Sequence, residues 1–98
     1  MKNSKIDESS RLAQFVQTNL MSGVEKKYKT RDLGVKQAPF YVLIGAEMPA
    51  ILAEISFITN PDEAKLLQDE HYLNKIAEQI AGGIAAYVDH HHTAAVKF

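Results

Sequence analysis

The spacing of apolar residues divides the chain into helical and extended stretches. Ser9 and Ser10 can cap a helix, and apolar residues follow them at helical spacing as far as Leu20. Gly23 is a plausible end for this helix, because glycine readily adopts the left-handed conformation found at many helix ends. The Lys-rich stretch 24–37 has no clear period and is predicted to be a polar connection that faces solvent.

Two short apolar runs in the middle of the chain have the composition of β-strands. Phe40–Ile44 is aromatic and β-branched, and it is bounded by Pro39 and Gly45. Ala50–Ile58 is mostly apolar on both of its faces, which is typical of a strand in a sheet that helices cover on each side. Because two short strands do not make a stable sheet alone, further strands would come from elsewhere or from self-association.

The second half of the chain has the pattern of two helices. Asn60, Pro61 and the acids that follow predict the start of a short helix that ends near Leu67. With the earlier elements, this gives the order helix, strand, strand, short helix, long helix. We therefore expect an α/β fold, the C-terminal portion of a mixed-sheet sandwich, in one domain of 98 residues.

The long helix is predicted from apolar residues that keep a helical period after Asp69. They are Leu73, Ile76, Ala77, Ile80, Ile84, Tyr87 and Val88. Gly82 and Gly83 lie within this pattern, and each costs a helix about 1 kcal/mol relative to alanine. The pair therefore predicts a close backbone contact. The pattern is lost over residues 89–98, which are predicted to be a flexible tail.

The overall composition excludes several classes of function. The formal net charge is -1, so the chain has no basic field to hold a nucleic acid or an anionic membrane. There is no cysteine, which excludes disulfides, thiolate zinc sites and a cysteine nucleophile. No apolar run approaches the roughly 20 residues that span a bilayer, and the first residues lack the apolar core of a signal peptide.

Glu54 is the strongest candidate for a catalytic residue. It is a carboxylate within an apolar run, and burying an unpaired carboxylate costs several kcal/mol. A carboxyl group at the mouth of a cleft suits general acid or base catalysis. Two alternatives remain open: a strand end that reaches the surface, or a structural ion pair with Lys or Arg. Ser56 follows on the same face, but no suitably spaced histidine would make it a nucleophile.

The histidines do not form a recognisable metal motif. Consecutive residues on a helix point about 100° apart, so the adjacent His90, His91 and His92 seldom converge on one ion. We expect them to belong to a solvated tail. His71, at the start of the long helix, is predicted to be a surface or cap residue.

Several blocks of the sequence, taken together, resemble a known enzyme family. They are Ser9–Ala13, Gly34–Ala38, Phe40–Leu43, Met48–Glu54, Phe57–Pro61, Glu63–Leu67 and Ile76–Ile84. In this order they look like the C-terminal half of a zinc-dependent N-acetylmuramoyl-L-alanine amidase of the family 3 type. The resemblance covers residues from about 9 to 88.

The resemblance implies a fold, a reaction and a role for one residue. The family's domain is an α/β sandwich around a mixed sheet, and it hydrolyses the amide between N-acetylmuramic acid and L-alanine in peptidoglycan. The family's catalytic acid follows a Met-Pro turn, and that position here is Glu54. The resemblance implies that Glu54 acts as general acid and base on a zinc-bound water. It also implies a bacterial envelope enzyme, such as an autolysin or endolysin.

The zinc ligands that the family uses have no counterpart in this sequence. They lie in a Gly-His-Gly-type loop, a later Glu and a Ser-x-His-x-Asn-like strand, and none of these motifs is present. We therefore expect no metal ligand in this chain, zinc in the intact parent domain, and no activity from these 98 residues alone. Two alternatives are a non-catalytic module that binds wall fragments or self-associates through an exposed sheet edge, and an inert α/β fragment.

Overall fold

Three helices account for most of the residues that the structure describes. The computed structural model describes residues 4–28, 34–37, 41–55 and 61–96, and side chains for 5–23, 34–37, 41–55 and 61–90. The elements are α1 (Ser4–Tyr28), a single 3₁₀ turn (Tyr41–Leu43), α2 (Pro61–Leu66) and α3 (Glu70–Val96). None of the described helices is both long enough and apolar enough to cross a membrane.

The core lies between α1 and α3, which run antiparallel. The start of α1 contacts the end of α3, where the Tyr87 hydroxyl donates a 2.7 Å hydrogen bond to Glu8. Farther along, the Asn19 side-chain amide donates a 2.9 Å bond to the carbonyl of Gln79. The buried apolar side chains all come from these two helices: Leu12, Val16, Leu20, Tyr72, Ile76 and Tyr87.

The predicted close contact at the glycine pair is confirmed. A Cβ atom added to Gly83 would lie 2.6 Å from the Cα of Val16 and 3.0 Å from the carbonyl oxygen of Phe15. A Cβ added to Gly82 would instead meet the side chain of Asn19 at 2.6 Å. The backbones of α1 and α3 therefore approach each other closely at Gly83, where any side chain would push them apart.

The predicted starts of α2 and α3 hold, whereas both predicted limits of α1 are wrong. Ser9 and Ser10, the predicted caps, lie inside α1, which begins at Ser4. α2 begins at Pro61, as predicted, and α3 begins after Asp69. The Asp69 carboxylate caps α3 by accepting bonds of 2.9 and 3.3 Å from the backbone N–H groups of His71 and Tyr72. The predicted helix end at Gly23 is wrong, because α1 continues through it to Tyr28.

Gly23 is tolerated inside α1 because of what packs against it. The side chain of Gln79 occupies the space that a Cβ at Gly23 would need. Contact with α3 therefore offsets the intrinsic cost of a glycine in a helix, which is about 1 kcal/mol. α3 itself continues to Val96, through most of the predicted tail. The flexibility of residues 89–98 stays a prediction.

The predicted α/β fold is wrong for the described part of the chain, which contains no strand. Of the first predicted strand, Phe40–Ile44, the described residues begin with the 3₁₀ turn at Tyr41. Of the second, Ala50–Ile58, residues 50–55 have no regular secondary structure, and 56–58 lie outside the described residues. A helix makes its backbone hydrogen bonds internally, whereas a strand needs a neighbour, and residues 4–28, 34–37, 41–55 and 61–96 provide no neighbouring strand.

Candidate functional site

The candidate site is centred on Glu54, which lies in segment 50–55, an irregular stretch beside the helix pair. Glu54 is exposed, rather than buried on an apolar strand as its sequence context predicts. Within the described residues its carboxylate has neither a hydrogen bond nor an ion pair. Of the two structural alternatives, a surface carboxylate therefore agrees with the structure better than a fixed ion pair with Lys or Arg.

Segment 50–55 is fastened to the helices at both of its ends. At the first end, the backbone N–H of Ala50 donates a 2.9 Å hydrogen bond to Ser9 Oγ on α1. At the other end, the hydroxyl of Tyr72 on α3 donates a 3.2 Å hydrogen bond to the carbonyl oxygen of Ile55. Side chains of the two helices thus bind backbone groups of the segment. In a sheet, a neighbouring strand would bind these groups.

Apolar contacts hold the same segment only at its start. Ile51 packs against the buried cluster of α1 and α3. Leu52 and Ile55 remain 46% and 37% exposed, and Ala53 and Glu54 are also exposed. Glu54 is therefore presented outward from a short segment that is held at Ala50, Ile51 and Ile55.

The polypeptide before this segment exposes still more apolar surface. Lys5 Nζ donates a 3.4 Å hydrogen bond to the carbonyl oxygen of Leu43, which ties the 3₁₀ turn to α1. The neighbouring side chains are nevertheless mostly exposed. The exposed fractions are 89% for Tyr41, 75% for Val42, 66% for Ile44 and 62% for Met48.

The described residues do not fit a catalytic zinc ion. Such a site takes three protein ligands from His, Cys, Asp or Glu. Nowhere in the described ranges do three such side chains come together. His71 and His90 lie near opposite ends of α3, roughly 28 Å apart at the usual helical rise. The side chains of His91 and His92 lie outside the described residues, so the prediction that this chain supplies no zinc ligand stays a prediction.

The remaining sequence candidates lie apart from Glu54. His71 is exposed in the first turn of α3, in agreement with its predicted surface position. The ring of His90 lies 5.4 Å from that of Phe15, at the other end of the helix pair. Ser56, which was not expected to act as a nucleophile, falls outside the described residues.

The sequence pattern did not identify Tyr72 as part of the buried face of α3. Of the residues that it assigned to this face, Ile76 and Tyr87 are buried, whereas Leu73, Ile84 and Val88 are 37%, 43% and 54% exposed. The buried stripe also contains Tyr72 and Gly83, which precede Leu73 and Ile84 by one residue each. The glycine pair was the available signal, because the close contact it predicts places Gly83 at the centre of the buried face.

Comparison with known proteins finds one family. The sequence model described as N-acetylmuramoyl-L-alanine amidase matches residues 1–86, a range that includes Glu54. No solved structure gives a significant match.

Individual relatives include proteins from bacteria and a bacteriophage. The uncharacterized protein YqiI of Bacillus subtilis is 43% identical over 85% of this chain and 38% of its own length. The N-acetylmuramoyl-L-alanine amidase LytC of the same bacterium is 40% identical over 81% of this chain and 15% of its own length. The endolysin of Bacillus phage SPP1 is 50% identical over 61% of this chain and 22% of its own length. The chain thus spans less than two fifths of these three relatives.

Proposed function

Because the chain belongs to the N-acetylmuramoyl-L-alanine amidase family, we propose that it forms part of an enzyme that cleaves the amide between N-acetylmuramic acid and L-alanine in peptidoglycan. The predicted family is confirmed by the match over residues 1–86 and by relatives that carry the amidase name. In this proposal the chain contributes one acid to the site. The remaining groups come from the part of the relatives that the chain does not match.

Glu54 is the acid that this chain contributes. Hydrolysis of an amide requires that a proton leave the attacking water and that a proton reach the departing nitrogen. A carboxylate can accept the first proton and, as a carboxylic acid, deliver it to the nitrogen. Glu54 suits this role because it is exposed and no described residue binds its carboxylate. The single observation that carries the proposal is the family match across the segment that presents Glu54.

In this proposal the chain alone is inactive. The described residues bring Glu54 together with no group of metal ligands. We therefore expect these 98 residues alone not to cleave peptidoglycan. Because the proposed substrate is peptidoglycan, we expect the whole enzyme to act in the bacterial cell envelope, or at the wall during lysis.

The first experiment compares the chain alone with a joined polypeptide, which combines this chain with the rest of LytC. The purified 98-residue polypeptide is assayed on peptidoglycan for newly exposed amino groups of L-alanine. In the joined polypeptide, this chain replaces the matched segment of LytC. We expect activity only from the joined polypeptide. Amidase activity from the chain alone that Glu54→Gln abolishes would contradict the proposed division of the site.

A second candidate function is self-association as a non-catalytic module. The observation that favours it is the exposure of large apolar side chains at Tyr41, Val42, Ile44 and Met48. The sheet-edge route expected from the sequence has no support in the described residues, so these side chains would form the contact between two copies. Size-exclusion chromatography with light scattering tests this function. A monomer at all concentrations would contradict it, whereas a dimer that Val42→Ser dissociates would support it.

A further inference from the structure

Tyr72 connects the centre of the helix pair to the residue that follows Glu54. Its side chain has no exposed surface, the lowest value among the described residues that form the core. From this position its hydroxyl donates the 3.2 Å hydrogen bond to the carbonyl oxygen of Ile55. A phenylalanine would fill the same space between the helices, but it could not make this bond.

The support behind Tyr72 is rigid. Its backbone N–H donates to the carboxylate of Asp69 at the start of α3, and Ile76, one turn later, is also buried against α1. A ring enclosed in this way keeps its rotamer, because well-packed interiors leave little room for movement. The hydroxyl of Tyr72 is therefore a fixed donor on a helix. It binds the Ile55 carbonyl of a segment that has no regular secondary structure.

Glu54 depends on such support because no described residue fixes its carboxylate directly. Its position follows from the backbone of segment 50–55, which is tied at Ala50 by Ser9 and at Ile55 by Tyr72. The tie at Ile55 is one residue from Glu54. Resting on the proposed function, we infer that Tyr72 is a positioning residue for Glu54: its hydroxyl holds the Ile55 carbonyl and thereby fixes the backbone that presents the catalytic carboxylate.

The first test measures backbone order in the 98-residue chain by ¹⁵N relaxation. Tyr72→Phe removes only the hydroxyl. Tyr87→Phe is the matched control, because Tyr87 is also a buried tyrosine of α3, but its hydroxyl binds Glu8 on α1. We expect the order parameters of Glu54 and Ile55 to fall from roughly 0.85 to roughly 0.6 in Tyr72→Phe and to stay unchanged in Tyr87→Phe.

The second test measures kinetics in the active joined polypeptide, at a temperature where each variant remains folded by circular dichroism. We expect Tyr72→Phe to lower kcat about 10-fold, since misplacing a catalytic group by about 1 Å can cost on the order of 100-fold. KM should change little, because Tyr72 is buried and does not touch substrate. Tyr87→Phe should leave both constants unchanged. A purely structural role for the Tyr72 hydroxyl would alter the melting temperature without lowering kcat of the folded enzyme.

The outcomes separate this inference from the proposed function. Unchanged order at Glu54 in Tyr72→Phe would overturn the inference, and so would lower order with an unchanged kcat. Full activity in Glu54→Gln would instead overturn the proposed function, while the order parameters would still show whether Tyr72 fixes the segment. Lower order at Glu54 together with a lower kcat, in Tyr72→Phe alone, would support the inference.

Discussion

The helix pair and residues 41–55, which include Glu54, use their apolar residues differently. In α1 and α3 the apolar side chains at the contact are buried, and the backbones approach closely at Gly83. In residues 41–55 most large apolar side chains are exposed, and hydrogen bonds from side chains of α1 and α3 hold the backbone.

The difference follows from how each kind of backbone is satisfied. A helix makes its hydrogen bonds within itself, so two amphipathic helices need only each other to form a core. A segment without regular secondary structure has to find its hydrogen-bond partners elsewhere. Here it finds Ser9 and Tyr72, which fasten its ends but bury little of its surface. The helix pair should therefore carry the stability of the chain, while the segment carries its chemistry.

The largest expected effect on stability comes from truncating a leucine in the helix pair. Leu20 is buried in α1, so Leu20→Ala should lower the free energy of unfolding by about 3 kcal/mol. The matched change in the segment is Leu52→Ala, where the side chain is 46% exposed and the expected loss is only about 0.5 kcal/mol. Urea unfolding followed by circular dichroism measures both. Equal losses would show that the segment belongs to the stabilising core.

A smaller effect is expected at the glycine contact. Gly83→Ala places a methyl group against the backbone of Val16 and should lower the free energy of unfolding by about 2 kcal/mol, as overpacking does. Gly82→Ala is the neighbouring control. There the methyl meets the Asn19 side chain rather than backbone. Moving this side chain disturbs its hydrogen bonds to Gln79, but a gain in helix propensity of about 1 kcal/mol offsets part of that loss. If thermal melts gave the same loss for both variants, the close approach would not be specific to Gly83.

The smallest effect concerns Tyr87 and appears only in alkali. Burial, and next its hydrogen bond to Glu8, raise the pKa of the Tyr87 phenol above its usual value. Above about pH 10 the phenol of the unfolded chain loses its proton before that of the folded chain. The contribution of Tyr87 to stability is therefore complete below that pH and is lost as the pH rises through the folded pKa. Unfolding in urea at pH 8 and above pH 10 should show a steeper loss for the wild type than for Tyr87→Phe, by less than about 1 kcal/mol. Parallel pH curves would contradict the assignment.

The helices were predictable because their signals are local. The period after Asp69, the Pro61 start of α2 and the Gly82–Gly83 pair are each visible in residues a few positions apart. The predicted strands failed for a non-local reason: an apolar run such as Ala50–Ile58 reports how apolar a segment is, but not whether a partner strand exists.

The sequence singles out Glu54 as a candidate residue, but it does not predict how the surrounding structure holds it. Glu54 stands out in the sequence because a charge interrupts an apolar run. Its exposure and its support by Tyr72 depend on which face of α3 is buried, and the pattern assigned Leu73 rather than Tyr72 to that face. A stripe that contains tyrosines and glycine is hard to distinguish by hydrophobicity alone from the adjacent stripe of leucine, isoleucine and valine.

The measurement that tests the central claim most directly is the amidase rate of the joined polypeptide with one acid replaced at a time. Glu54→Gln removes the proposed general acid and base. Glu47→Gln is the matched control, because Glu47 is also exposed in residues 41–55. We expect Glu54→Gln to lower kcat by about 100-fold or more and Glu47→Gln to stay within about twofold of the parent. A Glu54→Gln enzyme that keeps the rate of the Glu47→Gln enzyme would contradict the claim that this chain contributes the catalytic acid.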